Sequence, residues 1–437
     1  MFRFALLLSC LSALAPAGAA SHESWLLVTD RWGNREYEAL ELRRDGKHLT
    51  GTLGGRSLSG AHGGSTVHFE VSDGNGTRWT FSGRLDGARM VGMAEFPDTQ
   101  GTARRMQHPF VARRLPTRPE GPPRRHDFDP VDYANEFSPH RDPVLVVWPG
   151  DTVHTRTIDS GGVDAHGDTR ALYGNPQTGP FYIGSAKPGD MLVVHIRRLR
   201  LDRDEADSLD DIVGRALGPR LAAKAGALGK PVRWKLERER GVARPLAPTP
   251  RLQHFEVPLR PMLGGLGVAP GPGSAPASTG DSGRFGGNMD FNEVVEGNTV
   301  YLPVFQPGAL LYLGDAHALQ GDGETSQYAL ETSMEVEFTV DIVPDHPIQA
   351  PRVESPTEIM VLGQAGSLDD ALRAATAGIA QWLEQDHGLD MSEIAQVLGT
   401  SVRYTVANLA GRNVGIAARL DKRRLAGLAP VEGEPQP

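Results

Sequence analysis

A proline-interrupted apolar segment at residues 300–313 most restricts how this chain can fold. Its sequence, VYLPVFQPGALLYL, contains Pro303, Pro307 and Gly308. Proline lacks a backbone N–H and its ring clashes with the preceding helical turn, so the segment cannot form one continuous helix. The pattern is instead typical of two short buried strands joined by a turn at residues 306–308.

Polar side chains crowd both ends of this segment. If residues 299–303 pair with residues 309–313, the outer ends of the two strands meet and bring these side chains together. Carboxylates and a histidine that converge in this way suit a divalent metal or an acid–base pair. The alternative is an acidic, glycine-rich turn that stays solvated and has no chemistry. The polar residues are Asn288 and Asp290 upstream, and Asp315, His317, Gln320, Asp322 and Glu324 downstream.

The sequence of residues 1–20 indicates the cellular compartment of the protein. Met1-Phe-Arg-Phe is followed by ALLLSCLSALAPAGAA, an apolar stretch that ends in small residues, as a cleaved secretory signal does. The stretch is too short to span a membrane, and Pro16 interrupts it. We therefore expect an exported protein, periplasmic or secreted, with no membrane span. Cys10 lies in a loose lipobox-like context, so a lipid-anchored form is the alternative.

Cys10 is the only cysteine in the 437 residues. Cleavage of the signal would leave a mature protein without cysteine, which excludes disulfides and thiol nucleophiles. The 52 glycines and 33 prolines favour short elements and many turns, and therefore a mainly β fold. The net charge of −9 argues against a nucleic-acid partner.

The chain divides on sequence into four parts. Residues 1–20 are the signal peptide. Residues 24–115 contain short strand candidates separated by turn dipeptides, which predicts a small β-meander or barrel. Residues 116–130 (PTRPEGPPRRHDFDP) are a Pro- and Arg-rich linker, and residues 131–428 form a larger unit. The strand candidates of the small domain are 37–42, 48–53, 66–71, 78–81 and 89–96.

The larger unit combines antiparallel strands with helices near its C-terminal end. Two Pro-Gly-Asp turns each precede a strand, and residues 335–343 alternate as a strand. Residues 208–225 are a helix candidate, and Ser367 begins a second helix that Gly388 ends. The Gly- and Pro-rich residues 258–287 are interpreted as a long loop over a site, with a linker as the alternative.

Several motifs of well-known enzyme classes are absent from the sequence. It contains no GxSxG elbow, HExxH, Walker loop or dinucleotide fingerprint, and residues 315–324 lack the acidic spacing of an EF-hand. Without a thiol or a serine elbow, water activated by a metal or a carboxylate is the expected nucleophile.

The combined pattern of residues 130–425 resembles the acetamidase/formamidase family. The matching segments are TIDSGG (157–162), NPQTGPFYI (175–183), AKPGDMLVVHI (186–196), PMLGGLGVAP (261–270), GRFGGNMD (283–290), GDAHALQGDGE (314–324) and ETSMEVEFTV (331–340). The N-terminal β domain is not part of the usual family core. One segment departs from the family: where small-amidase members carry an HNRWH-like sequence, this chain reads EFSPHRDPVLVV with only His140.

The resemblance implies a β-sandwich core with an α/β C-terminal part and hydrolysis of small linear amides to carboxylate and ammonia. It also implies a homo-oligomer and a divalent metal, zinc or calcium. We expect Asp290, Asp315 and His317 to bind the metal, with Asp159 as a further ligand or an orienting group. Catalysis is assigned to Glu324 as general base and acid together with Asp315 and His317, and substrate or cofactor binding to Asn288, Gln320, Asp322 and Glu331. The alternatives are a non-catalytic secreted metal- or ligand-binding member, or a hydrolase of a different C–N bond.

Overall fold

The computed structural model describes residues 21–98, 100 and 104–428. The predicted signal peptide, with Cys10, lies outside these residues. The chain divides into two compact units, one ending at Thr117 and the other beginning at Arg118. Each unit has its own apolar core.

The first unit is a closed antiparallel barrel. It has eight strands, each of which pairs with the next along the chain, and the first strand pairs with the eighth to close the ring. Inward and outward positions alternate along each strand, so that Trp25, Phe69, Phe81 and Phe110 fill the interior. The strands are β1 (Ser21–Arg31), β2 (Asn34–Asp45), β3 (His48–Leu53), β4 (Arg56–Gly63), β5 (Thr66–Ser72), β6 (Arg78–Asp86), β7 (Arg89–Pro97) and β8 (Arg105–Arg114).

All five strand candidates of this domain form strands, and three further strands were not predicted. Of these, β4 (RSLSGAHG) is rich in glycine and serine and has a single large apolar side chain, Leu58. Only the pairing of β4 with its two neighbours identifies it as a strand.

The second unit contains two large sheets in the described part of the chain. One has the order β18-β17-β16-β15-β25-β24-β19-β22-β21, with β13 also paired to β24 and β11 to β13. The other has the order β29-β30-β28-β27-β23-β14-β26-β12-β9, and β10 and β20 form a separate pair. The strands are β9 (Arg125–Asp127), β10 (Glu136–Phe137), β11 (Leu145–Val147), β12 (Thr152–Thr157), β13 (Gln177–Ile183), β14 (Met191–Leu201), β15 (Glu205–Leu209), β16 (Pro231–Glu237), β17 (Val242–Pro245), β18 (Val257–Pro258), β19 (Met262–Val268), β20 (Ala277–Ser278), β21 (Ser282–Gly283), β22 (Gly286–Asn288), β23 (Thr299–Pro303), β24 (Leu311–His317), β25 (Glu331–Thr332), β26 (Met334–Val343), β27 (Arg352–Glu354), β28 (Glu358–Ala365), β29 (Arg403–Asn408) and β30 (Val414–Asp421).

The two sheets enclose one apolar core. Phe181 of β13 in the first sheet contacts Phe338 of β26 in the second, with ring centroids 5.5 Å apart and nearly perpendicular planes. Aliphatic side chains of β19 and β24 meet those of β14 and β26 in the same cluster. The predicted mainly β fold, with a sandwich core and a separate N-terminal β domain, is therefore confirmed.

The two strands of the proline-interrupted segment do not pair with each other. β23 pairs with β14 and β27 in one sheet, whereas β24 pairs with β19, β13 and β25 in the other. The segment between them, with Pro303, Pro307 and Gly308 (φ 75°), carries the chain from one sheet to the other. The prediction that residues 299–303 and 309–313 form a pair was wrong, because the turn joins two layers of a sandwich.

The interpretation of residues 258–287 as a loop over a site was wrong for residues 262–268, although Ser278 and Gly280 do line a cavity beside Asp290 and Asp315. This region contains β19, whose residues Met262–Val268 are all buried. β19 lies between β22 and β24. It therefore brings together the polar residues on the two sides of the proline-interrupted segment, which the sequence interpretation joined through a pair of strands within that segment. Its glycines allow close approach of neighbouring strands, although their number suggests a flexible loop when the sequence is considered alone.

Two helices connect β28 to β29 of the second sheet near the C-terminal end. α2 (Leu368–His387) begins at Ser367, whose side chain accepts a hydrogen bond from the Asp370 N–H, and ends at Gly388 (φ 63°), as predicted. α3 (Met391–Ser401) begins with a capping box. Residues 208–225 are only partly helical, since α1 (Pro219–Ala225) follows a 3₁₀ turn at Gly214–Ala216, and α4 (Lys422–Leu425) is a single turn. In the described residues, no helix is both long and apolar enough to cross a membrane.

α2 packs directly on β28, and Gly363 allows this close contact. A Cβ at Gly363 would lie 2.0 Å from the Ala371 carbonyl oxygen and 2.4 Å from the Ala375 nitrogen. Both are backbone atoms, so the clash cannot be relieved by a side-chain rotation.

Gly363→Ala is therefore expected to destabilise the second unit. Overpacking of this kind costs about 1–3 kcal/mol, which corresponds to a fall in melting temperature of roughly 5 °C. Gly366→Ala is the matched control, because a Cβ at Gly366 has no atom within 4 Å. Differential scanning calorimetry of both variants at one scan rate measures the difference. Equal melting temperatures for the two variants would contradict the packing argument.

Candidate functional site

Two neighbouring strands of the first sheet bring a histidine and two carboxylates together. Asp315 and His317 are two residues apart on β24, and therefore lie on the same face. His317 is the ladder partner of Glu331 on β25. Its Nε2 atom lies 3.1 Å from Glu331 Oε1 and 3.6 Å from Asp315 Oδ1. All three side chains are buried.

β19 holds the backbone of Asp290, which carries a third carboxylate, and leaves the space for that carboxylate. The flanking pairs Leu263–Ala316 and Gly265–Gly314 place Gly264 opposite Asp315. The Asp290 N–H donates to the Gly264 carbonyl oxygen at 3.1 Å. A Cβ at Gly264 would lie 2.6 Å from Asp290 Oδ1 and 2.7 Å from Asp315 Oδ2. Glycine at this position therefore leaves the room that the two carboxylates occupy.

Gln320 fixes the orientation of the imidazole. His317 Nδ1 lies 2.9 Å from Gln320 Oε1, and Gln320 Nε2 donates to the Asp290 carbonyl oxygen at 2.5 Å. Since the glutamine oxygen can only accept, Nδ1 carries the proton of this hydrogen bond. Nε2 therefore faces the carboxylates: it is an N–H donor when the imidazole is protonated, and it offers a lone pair to a cation when the imidazole is neutral.

Side-chain amides from distant parts of the chain hold the carboxylates. Asn175 Nδ2 lies within hydrogen-bonding distance of Asn288 Oδ1 (2.7 Å) and Asp315 Oδ2 (3.0 Å). Asp290 Oδ2 accepts from Asn288 Nδ2 at 2.5 Å and from Asn408 Nδ2 at 2.6 Å. Asn408 ends β29 in the other sheet, so both sheets contribute to the site.

The candidate site is a buried cluster of Asp290, Asp315, His317, Glu324 and Glu331. One oxygen atom of each carboxylate has no hydrogen-bond partner among the described residues. Asp290 Oδ1, Asp315 Oδ1, Glu324 Oε2 and Glu331 Oε2 are buried and unpaired, and His317 Nε2 makes no hydrogen bond of good geometry. Potential ligand atoms of Asp290, His317 and Glu324 lie within 4.8 Å of one another, and so do those of Asp315, His317 and Glu331. Buried polar atoms are normally satisfied, so this arrangement fits a bound metal ion.

The excess of negative charge in the cluster also fits a bound metal ion. The cluster has four buried carboxylates, and among the described residues their ion pairs involve only His317. Burial and the charge of Asp315 raise the pKa of Asp290 well above its usual value. Burial and Asp290 do the same to the pKa of Glu324, and burial also raises the pKa of Glu331. Burial lowers the pKa of His317, but Glu331 and Asp315 outweigh it and raise that pKa well above its usual value.

Three of the acidic residues adopt a left-handed backbone conformation. The φ angles are 41° at Asp290, 54° at Asp315 and 41° at Glu324. Non-glycine residues in this region store about 1–3 kcal/mol each and occur most often at functional sites. The Glu324 loop is fixed by two backbone hydrogen bonds, from the Gly323 N–H to the Ala407 oxygen and from the Leu409 N–H to the Gly323 oxygen.

A cavity of about 230 Å³ opens onto the cluster. Tyr173 and Tyr328 line it, with their hydroxyl oxygens 2.7 Å apart, and so does Arg412, which pairs with Asp281. A larger cavity of about 610 Å³ lies elsewhere in this unit, around Arg198–Leu201 and Arg238, and contains none of the clustered residues. Chemistry rather than size therefore identifies the candidate site.

The Acetamidase/Formamidase family model matches residues 273–403, the region that carries most of this cluster. The second unit is therefore similar to proteins of the acetamidase/formamidase family. A protein of Schizosaccharomyces pombe named as a formamidase is 54% identical over 41 residues, which are 9% of this chain and 10% of that protein. The match therefore spans only a tenth of the curated relative.

Crystal structures of family members have the same fold. A predicted acetamidase/formamidase of Thermoanaerobacter tengcongensis is 25% identical, with a TM-score of 0.60 over 70% of this chain and 98% of that chain. An acetamidase of Bacillus halodurans is 26% identical, with a TM-score of 0.59 over 69% and 99%. An acetamidase of Yersinia enterocolitica is 27% identical, with a TM-score of 0.60 over 69% and 93%. These family members are named for enzymes that hydrolyse carbon–nitrogen bonds other than peptide bonds.

The structure brings together most of the predicted site residues, namely Asn288, Asp290, Asp315, His317, Gln320, Glu324 and Glu331. Two others lie apart from the cluster. Asp322 is exposed and accepts a hydrogen bond from Asn292 Nδ2 at 2.8 Å. Asp159 is buried, but its two oxygens accept from Arg203 Nη2 and the Val163 N–H, both at 2.8 Å. Its carboxylate is thus already paired, which favours an orienting role over metal ligation.

Sequence reasoning missed Asn175, Asn408 and Gly264. Asn175 begins a segment that carries the family resemblance, but an asparagine in a loop has no distinctive spacing. Asn408 lies 118 residues from Asp290, and only the packing of the two sheets brings them together. Gly264 stands in a glycine-rich segment interpreted as a loop, where its position opposite Asp315 could not be inferred.

Gly264→Ala is expected to weaken metal binding at least tenfold, because the added methyl group displaces the Asp290 and Asp315 carboxylates; changes next to metal ligands typically cost about 10- to 100-fold. Gly321→Ala is the matched control, since a Cβ there has no atom within 4 Å. Elemental analysis of the purified variants and competition with a chelator measure the affinity. Equal metal content at equal chelator concentration would contradict the assignment.

Proposed function

We propose that this protein hydrolyses the carbon–nitrogen bond of a small linear amide to a carboxylate and ammonia. The observation that carries the proposal is the buried cluster of four carboxylates and one imidazole, open to a cavity, on a fold of the acetamidase/formamidase family. The cavity of about 230 Å³ is smaller than a typical drug-sized pocket, which favours a short acyl group.

Water is the proposed nucleophile. The single cysteine, Cys10, precedes the family region, and the sequence has no GxSxG elbow. Glu324 in its ionised form is suited to accept a proton from water, because its Oε2 atom is unpaired and because burial together with Asp290 raises its pKa and so its basicity. The water oxygen bonds to the carbonyl carbon, the C–N bond breaks, and Glu324 returns the proton to the leaving nitrogen.

The residues that would hold a divalent metal are Asp315, His317 and Glu331, with Asp290 beside them. His317 Nε2 is closest to Glu331 and Asp315, so these three form the most compact set. A mixed imidazole–carboxylate set favours zinc over calcium, which prefers oxygen ligands throughout. A metal bound there supplies Lewis-acid polarisation of the substrate carbonyl and lowers the pKa of water.

The other residues of the site orient these groups. Gln320 keeps the imidazole in one tautomer, and Asn288 and Asn408 hold one oxygen of Asp290 so that the other faces the cluster. Asp159, through Arg203, orients the backbone beside Glu331, since Arg203 Nη2 also lies 3.4 Å from the Glu331 carbonyl oxygen.

Glu324→Gln is expected to lower the rate of ammonia release by about 100-fold or more, the usual effect of losing a general base. Asp322→Asn is the matched control, because Asp322 lies on the same loop but is exposed and apart from the cluster. We expect its rate to stay within about twofold of the wild type, since changes to exposed residues of this kind have small effects. A coupled ammonia assay with formamide, acetamide and propionamide measures both variants.

Chelator treatment separates the parts of this proposal. Loss of activity on metal removal and its return with zinc are expected. Full activity of Glu324→Gln would reject the role of Glu324, and full activity without metal would reject the metal. Metal binding without turnover of any linear amide would instead support a non-catalytic member of the fold, or a hydrolase of another C–N bond.

Export is a further part of the proposal and rests on the signal-like sequence of residues 1–20. The protein recovered from its native host is expected to begin at residue 20 or 21 and to fractionate with periplasmic or secreted proteins. N-terminal sequencing of that material checks both points, and an intact Met1 in the cytoplasmic fraction would reject export. A homo-oligomer stays a prediction from the resemblance, which size-exclusion chromatography with light scattering tests.

A further inference from the structure

The interior of the N-terminal barrel changes from apolar to charged towards one end. Alternation along β1 points Trp25 and Leu27 inward, followed by Thr29 and Arg31. At the charged end the barrel encloses a cavity of about 230 Å³. Its lining residues are Arg31, Glu36, Glu38, Leu53, Arg56, Val71, Trp79, Phe81 and Phe96.

The charged residues of this cavity form two ion pairs that stand against aromatic rings. Arg31 Nη1 lies 3.1 Å from Glu36 Oε1, and its guanidinium carbon lies 4.6 Å from the centre of the Phe96 ring. Arg56 pairs with Glu38 through Nη2, and its guanidinium carbon lies 4.9 Å from the centre of the Trp79 ring. The cavity thus offers both signs of charge between flat apolar walls.

Several polar groups around this cavity lack a partner among the described residues. The Nε atoms of Arg31 and Arg56 are buried and donate to nothing, although each guanidinium uses another nitrogen in its ion pair. Thr29 Oγ1 and His108 Nε2 are also unpaired, on side chains that are 0% and 3% exposed. His108 belongs to the same end, because its ring centre lies 5.7 Å from that of Phe96.

A purely structural role does not account for this arrangement. Eight-stranded barrels of this size can fill their interior with side chains, as the apolar end does here. Both ion pairs are partly exposed, with 25% of the Arg31 side chain and 39% of the Arg56 side chain accessible, so solvent screens them and they contribute little to folding. Burial raises the pKa of Glu38 although Arg56 pairs with it. The charged residues of both ion pairs therefore border the same small space.

We propose that the charged end of the barrel binds a small zwitterion with an apolar body, of the α-amino-acid class. The ligand carboxylate accepts from the guanidinium groups of Arg31 and Arg56. The ligand ammonium donates to Glu38, and the side chain of the ligand lies against Trp79 and Phe96. The two arginines and two glutamates carry no net formal charge, which favours a net-neutral dipolar ligand over a simple anion or cation.

Isothermal titration calorimetry of the full mature chain tests this proposal with three matched compounds. L-Phenylalanine carries both charges, 3-phenylpropionate lacks the ammonium, and phenethylamine lacks the carboxylate. One L-phenylalanine molecule is expected to bind per chain, at least tenfold more tightly than either of the others. No heat of binding with L-phenylalanine at millimolar concentration, or equal affinity for 3-phenylpropionate, would overturn the proposal.

Two variants locate the site. Arg56→Met is expected to weaken L-phenylalanine binding at least tenfold. Arg43→Met is the matched control, since Arg43 is exposed on β2 and does not line the cavity; its affinity should stay within twofold of the wild type. Binding by Arg56→Met at wild-type affinity would reject the site.

Glu38→Gln distinguishes recognition from folding. This variant keeps the shape of the side chain but removes the charge that the ligand ammonium requires. We expect it to lose the preference for L-phenylalanine over 3-phenylpropionate while its affinity for 3-phenylpropionate is retained or increased, a result that an unfolded barrel could not give. A preserved preference in Glu38→Gln would contradict the proposed contact.

Discussion

Mutual repulsion of buried carboxylates is the constraint on which the second unit depends. Asp290, Asp315, Glu324 and Glu331 are each almost completely removed from solvent, and one imidazole lies among them. An uncompensated buried charge costs several kcal/mol, so the chain must either protonate these groups or bind a cation. The raised pKa values correspond to the first response, and the unpaired atoms of these side chains could hold an ion in the second.

The surrounding structure holds these groups in place against that repulsion. Strained backbone at Asp290, Asp315 and Glu324 is tolerated because dense packing and amide hydrogen bonds fix each of these residues. Gly264 removes the one side chain that would fill the space between two of the carboxylates. Rigid positioning of this kind keeps lone pairs directed at one point, as both metal binding and proton transfer require.

The sequence predicts the residue types of the site better than it predicts their path through the fold. Polar residues at both ends of an apolar run indicate convergence, and six of the seven, all except Asp322, do converge. They do so because β19 lies between β22 and β24, not because β23 pairs with β24. Strand pairing depends on contacts far apart in sequence, and a buried glycine-rich strand such as β19 looks like a loop when only local composition is available.

Local signals succeeded where local physics dominates. The cap at Ser367 and the left-handed Gly388 mark the limits of α2, since both act within a few residues. Asp322 and Glu324 show the opposite case: they stand two residues apart on one loop, yet one is exposed and the other buried. The backbone of Gly323, which lies between them, is hydrogen-bonded to Ala407 and Leu409. These contacts with a distant part of the chain hold Glu324 in the interior and leave Asp322 at the surface.

The hydrogen bond from Asn408 to Asp290 makes the order of folding part of how the site is formed. Its two residues belong to different regions of the sandwich and are separated by 118 positions. β29 and β30 form a C-terminal hairpin, which carries Asn408. A nascent chain that has formed the first sheet but not this hairpin still lacks one of the groups that orient Asp290. High-affinity capture of a metal ion is therefore expected to follow the docking of that hairpin, so loading would be a late event in the biosynthesis of the protein.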